Sequence, residues 1–208
     1  MSSLLIVGAG GHGKVVAEAA ELMGKWERIA FLDDSEEKQD MLFSDFMVVG
    51  KLKDSKLLFL DYKNLIVAIG DNNLRCQMAK GFGDCGFVLP SIIHPNSIVS
   101  KNAIVGLGSV IFPGAVINSQ AMIEEFCIIN TGAIIEHDVS IGRGSHISPG
   151  AVIGGGTNIG RKTWIGAGAT VINNVKIGNN VIIGAGAVVI SNIPDNSKWV
   201  GVPARRLE

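Results

Sequence analysis

Cysteine, aromatic side chains, long apolar runs and an excess of either charge are all scarce in this 208-residue chain, and each scarcity excludes something. The three cysteines, Cys76, Cys85 and Cys127, form no CxxC or other ligand spacing, and an odd count supports no disulfide framework. They read as small buried hydrophobes. Eighteen Lys and Arg against 19 Asp and Glu leave a formal net charge of -1, with no basic run to engage a nucleic acid or an acidic membrane surface. The first apolar run, Leu4 to Val7, is too short for the apolar stretch of a signal peptide, and no later run approaches a membrane span. The expected location is the cytoplasm. Of the four histidines, His137 and His146 stand half a repeat coil apart and join no cysteine cluster, so no metal is expected. Aromatics make up only 6% of the chain while glycine occurs 27 times, which points to a repetitive backbone.

A repeat is what the sequence does contain. Val or Ile occupies every sixth position from Val99 through Val105, Ile111 and Ile117 to Ile183 and Val189, sixteen times without a miss. Two residues before each stands a small or compact side chain, from Ser97, Ala103 and Ser109 through Cys127 to Ala187. Gly often follows, as at Gly106, Gly142 and Gly154. Side chains alternate faces along a strand, so the aliphatic and the small residue two before it share one face, here the inside. A period of six preserves that phase and predicts strands of about three residues between corners, stacked as a parallel β-helix. The outward neighbours Ile98, Ile104, Val110, Val116, Met122, Ile128 and Ile134 are apolar too. Such a surface marks an interface or a face covered by the rest of the chain.

This pattern resembles the hexapeptide-repeat acyltransferases over residues 91 to 208. The resemblance implies triangular coils of about 18 residues, about five coils in all, a left-handed winding, and a homotrimer with active sites between neighbouring prisms. Left-handedness rests on the resemblance alone, since general crossover rules favour the other hand. The β-helix domain is assigned to 91–192, with a C-terminal tail at 193–208.

Residues 1–90 read as a small α/β unit instead. Leu4 to Val7, Ile29 to Leu32 and Leu65 to Ile69 have strand character, Gly8 to Gly13 a glycine loop, and Lys14 to Met23 and Asn73 to Lys80 helical character. Gly8, Gly10 and Gly13 satisfy GxGxxG between a strand and a helix, with Asp33 and Asp34 about 20 residues on. Such a loop lets backbone N–H groups approach an anion. About 90 residues are too few for two mononucleotide halves, so a Rossmann-like unit for one nucleotide fits better than an NAD fold. The bland reading is a tight turn with no ligand. His12, between Gly11 and Gly13, does not read as a core residue.

The segments GAGGHGKVV, FLDD, VAIGDNNLR, IHP, INTGAIIEHDVSIGRGSHISPGAVIGGG and GVPAR together resemble the nucleotide-sugar and sialic-acid acetyltransferases of bacterial glycan synthesis. They are most similar to the UDP-4-amino-sugar N-acetyltransferases (PglD-like) and the GDP-perosamine N-acetyltransferases. By that likeness Gly10, Gly11, His12, Asp33, Asp34 and Gly70 hold a nucleotide-sugar. His146 and Gly155 meet the acetyl thioester, and Ala167 and Ala185 lie beside the CoA arm. Arg205 and Arg206 in the tail either meet CoA phosphates or are simply solvated.

His137 falls two places after its aliphatic, on a corner facing solvent. Residue 155, one coil on, is glycine, leaving room above the imidazole and a bare N–H for an oxyanion. Asp138 stands where it can orient the ring, though it is shorter than the Glu that family members often carry. The expected chemistry is direct transfer from acetyl-CoA, the co-substrate, to a sugar amine, with His137 as general base. A sugar O-acetyltransferase and a non-catalytic trimeric scaffold are the alternatives.

Overall fold

A computed structural model describes residues 2–207, and the chain divides into two compact units with the boundary after Pro95. The first unit is built on a parallel sheet. Strands β1 (Ser3–Val7), β2 (Arg28–Leu32), β3 (Leu42–Phe43), β4 (Phe46–Gly50) and β5 (Asn64–Val67) stand in the order β3-β4-β2-β1-β5. All pairs are parallel except the β3–β4 hairpin, which the sequence reading did not anticipate. Leu4 through Val7 are fully buried, as a strand covered on both faces requires. Helix α1 (Gly11–Leu22) buries Gly13, Val16, Ala17, Ala19 and Ala20, one stripe at helical spacing. Helix α2 (Asn72–Asp84) follows β5, with the Asp71 side chain capping the Leu74 N–H at 2.8 Å. Because β2 and β5 flank β1 on opposite sides, the chain turns leaving all three meet at the carboxyl edge of the sheet.

The helix begins earlier than expected. Gly10 is the N-cap in extended backbone, so the loop is only Gly8 to Gly10 and His12 is the second residue of α1. Gly8 takes φ +103°, and a Cβ on Gly13 would collide with the Gly8 carbonyl oxygen. Both glycines are therefore demanded by the close approach of helix to strand.

The second unit is a parallel β-helix of two-residue strands, one shorter than expected, arranged in three sheets. Register advances by one coil along each face. Ile98 pairs with Val116, Ile134, Val152, Thr170 and Val188 in turn. Ile104 leads to Met122, Ser140, Asn158 and Lys176. Val110 leads to Ile128, His146, Trp164 and Ile182. Inside, Ile111 to Val189 are nearly all fully buried, and the compact residues two places earlier fill the angles of the prism. Where those residues are hydroxylic, they satisfy backbone at the corners. Ser145 Oγ donates to the Gly160 carbonyl at 2.7 Å and accepts from the Thr163 N–H at 3.0 Å; Thr163 Oγ1 repeats the pattern with Gly178 and Val181.

From Gly108 to Gly186 each turn of the repeat holds one residue in the left-handed region three places after the aliphatic, among them Gly132, Asp138, Gly144, Gly150 and Gly156. Asp and Asn are the side chains that tolerate this conformation best. After the last coil, Lys198–Val200 extends the third sheet and Arg205–Arg206 pairs antiparallel with it.

Two expectations are corrected. Cys85 is exposed at the end of α2, whereas Cys76 and Cys127 are buried. The outward apolar row is also not uniform: Ile98, Ile104 and Met122 are exposed, but Val110 and Ile128 are buried. No helix among the described residues is long and apolar enough to cross a membrane.

Candidate active site

The corner after Ile135 carries the first cluster. Asp138 occupies the left-handed position at φ +60° and carries its carboxylate back to the preceding side chain, so that Oδ2 lies 2.7 Å from His137 Nδ1. The shorter side chain thus reaches the ring. That hydrogen bond raises the His137 pKa above its ordinary value. With Nδ1–H donated to the carboxylate, the lone pair of the neutral ring sits on Nε2. Both side chains are about two-thirds exposed, so the pair is open to an incoming molecule. The residue in front of Nε2 is Gly155: a Cβ there would stand 2.7 Å from Nε2. The coil stacking that brings them together is direct, the Gly156 N–H donating to the His137 carbonyl at 2.9 Å.

A second cluster lies on the third sheet. His146, Ser148, Trp164, Ala167 and Ala185 line a largely apolar cavity of about 440 Å³. The ring of His146 stacks on Trp164 with centroids 6.1 Å apart and an 11° tilt. Trp164 Nε1 donates to Ser148 Oγ at 2.7 Å. Asn130 Oδ1 accepts the Thr131 N–H, which turns its amide nitrogen toward His146 Nε2 at 3.1 Å. His146 Nε2 therefore accepts, and the ring proton sits on Nδ1. Of the four residues assigned to acetyl-CoA, this groove unites His146, Ala167 and Ala185, while Gly155 stands with His137 instead. Trp164 and Asn130 were missed. Trp164 was readable, since the same one-coil step that links His137 to Gly155 links His146 to Trp164.

The third cluster is the crevice of the first unit, where the turns after β1, β2 and β5 bring together Gly10, Gly11, His12, Asp33, Asp34 and Gly70. Added Cβ atoms on Gly10, Gly11 or Gly70 would meet nothing, so the backbone there faces open space. Asp33 is engaged with the chain itself. Its carboxylate accepts from Ala9 N at 2.8 Å, Ser35 N at 3.0 Å and Lys38 Nζ at 3.2 Å. Burial works to raise its pKa, yet these donors hold it below the ordinary range. Asp34 is exposed and accepts the Leu52 N–H at 2.9 Å.

His12 lies in the first turn of α1. It is half-buried, with Nε2 shielded from solvent, and burial followed by the charge of Arg75 pushes its pKa down to about 4. It is a neutral ring at physiological pH.

Comparisons with known proteins agree with this division. Residues 3–82 match the PglD N-terminal domain, and residues 120–155 and 156–191 match the bacterial transferase hexapeptide (six repeats). The acetyltransferase domain of PglB from Neisseria gonorrhoeae FA1090, solved in complex with acetyl coenzyme A, is 40% identical. The match covers 99% of this chain and 98% of that one at a TM-score of 0.95. PerB from Caulobacter crescentus, solved in complex with CoA and GDP-perosamine, is 36% identical over 100% of this chain and 98% of its own, at a TM-score of 0.94. The UDP-N-acetylbacillosamine N-acetyltransferase of Bacillus subtilis (strain 168) is 39% identical over 117 residues, 52% of this chain and 50% of that protein, so the match spans half the length of this curated relative. On this kinship across nearly its full length, the chain belongs to the hexapeptide-repeat acetyltransferases that carry a PglD N-terminal domain.

Proposed function

We propose that the protein transfers an acetyl group from acetyl-CoA to the amino group of a nucleotide-linked amino sugar, with His137 as the general base. The observation that carries this reading is the notch at the corner, where Nδ1 of His137 is tied to Asp138 and Nε2 faces the bare backbone of Gly155. A sugar amine entering the notch loses its proton to Nε2 as its nitrogen bonds the acyl carbon, and Asp138 steadies the resulting imidazolium. The carbon–sulfur bond breaks, and the proton returns from His137 to the departing thiolate. The Gly155 N–H is a donor for the oxygen that gains charge.

The apolar groove fits a long, narrow thioester arm, because Ala167, Gly166, Gly184 and Ala185 leave its floor without bulk. The crevice with Gly10, Gly11, His12, Asp34 and Gly70 holds the nucleotide-sugar, supported by the nucleotide-sugar complex of PerB. The reading further takes the coil as left-handed and the protein as a cytoplasmic homotrimer that pairs catalytic faces of neighbouring protomers. The exposed Ile98, Ile104 and Met122 supply apolar surface for that contact.

The test is release of free CoA thiol in the presence of a UDP-4-amino-4,6-dideoxy sugar, GDP-perosamine, and their hydroxyl counterparts. Release with an amino sugar supports the reading. Release only with hydroxyl acceptors makes the protein an O-acetyltransferase, and no release with any acceptor makes it a binding scaffold.

A further inference from the structure

Arg75 sits where arginine is ordinarily disfavoured. It lies in the first turn of α2, at the positive end of the helix dipole. It is only 2% exposed, so it has lost almost all of its hydration. Its charge also acts on His12, a partner that can itself become cationic. Three unfavourable contributions on one side chain need an offsetting gain, and the hydrogen bonds locate it. Nη1 donates to the carbonyls of Ile69 and Gly70, each at 3.0 Å, and Nη2 donates to Asn72 Oδ1 at 2.8 Å. A rigid guanidinium fork with one arm on two successive carbonyls and the other on Asn72 ties the turn to the helix in a way that a point charge on a flexible stem does not. The turn so fixed contains Gly70 and runs into the Asp71 cap, so both of its ends are held.

We propose that Arg75 is a positioning residue for the nucleotide-sugar: it clamps the turn after β5 to the first turn of α2, so that the crevice is shaped before the ligand arrives. The inference rests on reading the crevice as the nucleotide-sugar site. Shaping the turn beforehand lowers the ordering cost of binding. Burial, and then the charge of the same guanidinium, keep His12 an uncharged ring.

Steady-state kinetics of Arg75→Met and Arg75→Lys with the UDP-amino sugar and GDP-perosamine test it, alongside an NMR titration of the His12 ring assigned through His12→Gln. Arg75→Met is expected to raise KM for the nucleotide-sugar roughly tenfold, the scale of losing a charged hydrogen bond. Its kcat and its KM for acetyl-CoA should stay near wild type, and its His12 should titrate at higher pH. Arg75→Lys keeps the charge but not the fork, so its KM should stay raised while His12 remains closer to wild type. An unchanged KM in Arg75→Met overturns the inference while leaving the proposed function standing. A wild-type protein that accepts neither nucleotide-sugar overturns both. If neither variant folds, the wild-type titration decides: a His12 ring that titrates in the ordinary histidine range overturns the inference.

Discussion

Three consecutive glycines follow Ile153, and Gly155→Ala is the change that separates chemistry from architecture. Gly155 has no left-handed backbone requirement, so alanine there costs no conformational strain. Its Cβ would stand 2.7 Å from His137 Nε2 and 2.8 Å from Cε1, against an ordinary carbon contact of about 3.5–4.0 Å. The obstructed atoms belong to the exposed end of a side chain, so the fold yields by turning the ring away. That movement breaks the 2.7 Å bond to Asp138 or leaves a methyl group across the lone pair. Either way the base is lost, and kcat/KM should fall by roughly 10²- to 10⁴-fold, the usual worth of a general base. Thermal unfolding should stay near wild type. Gly154→Ala is the control, since its Cβ would meet the Asn173 backbone nitrogen at 2.5 Å and the Ile172 carbonyl carbon at 2.8 Å. There the coils themselves must part, at about 1–3 kcal/mol. Assays of CoA thiol release and melting curves on both variants give the comparison. A Gly155→Ala protein with near wild-type turnover would refute the placement of the base at Nε2.

His137→Ala should lower turnover by a similar roughly 10²- to 10⁴-fold with little change in acetyl-CoA binding by calorimetry, and Asp138→Ala should cost less. Because the Asp138 hydrogen bond raises the His137 pKa and the base works unprotonated, kcat/KM should rise with pH through that raised value. In Asp138→Ala the rising limb should move to lower pH as its plateau falls; a limb that does not move would count against the pairing. His146→Ala should raise KM for acetyl-CoA and also lower rate, since it removes a wall of the groove proposed to hold the thioester arm. Full rate in His146→Ala would remove it from the site. Light scattering should return about three times the 21.9 kDa chain mass, and a monomer at micromolar concentration would rule out a site shared between protomers.

The candidate site was unevenly legible in the sequence, for a physical reason. In a β-helix every contact between coils is a fixed step along the chain, so counting places His137 against Gly155 and His146 against Trp164 without any fold prediction. The same counting identifies the buried column from Ile111 to Val189. It does not reveal that Asp138 holds a left-handed corner, which is what turns its short side chain back to the imidazole.

In the first unit no period connects the parts. The motif of Gly8, Gly10 and Gly13 marks a strand–helix junction from sequence, because only glycine survives such close backbone approach. That the Asp33 carboxylate reaches the Ala9 N–H follows from strand order, as does the charge of Arg75 on α2 acting on His12 on α1. The burial of Val110 and Ile128 beside the exposure of Ile104 and Met122 is of the same kind. Sequence alone determined the repeat, its inward residues and the stacking of the His137 corner on Gly155, since these depend on a constant separation along the chain. Tertiary structure decided which polar groups are consumed by the fold and which stay exposed, because burial and hydrogen-bond partners come from segments whose separation obeys no rule.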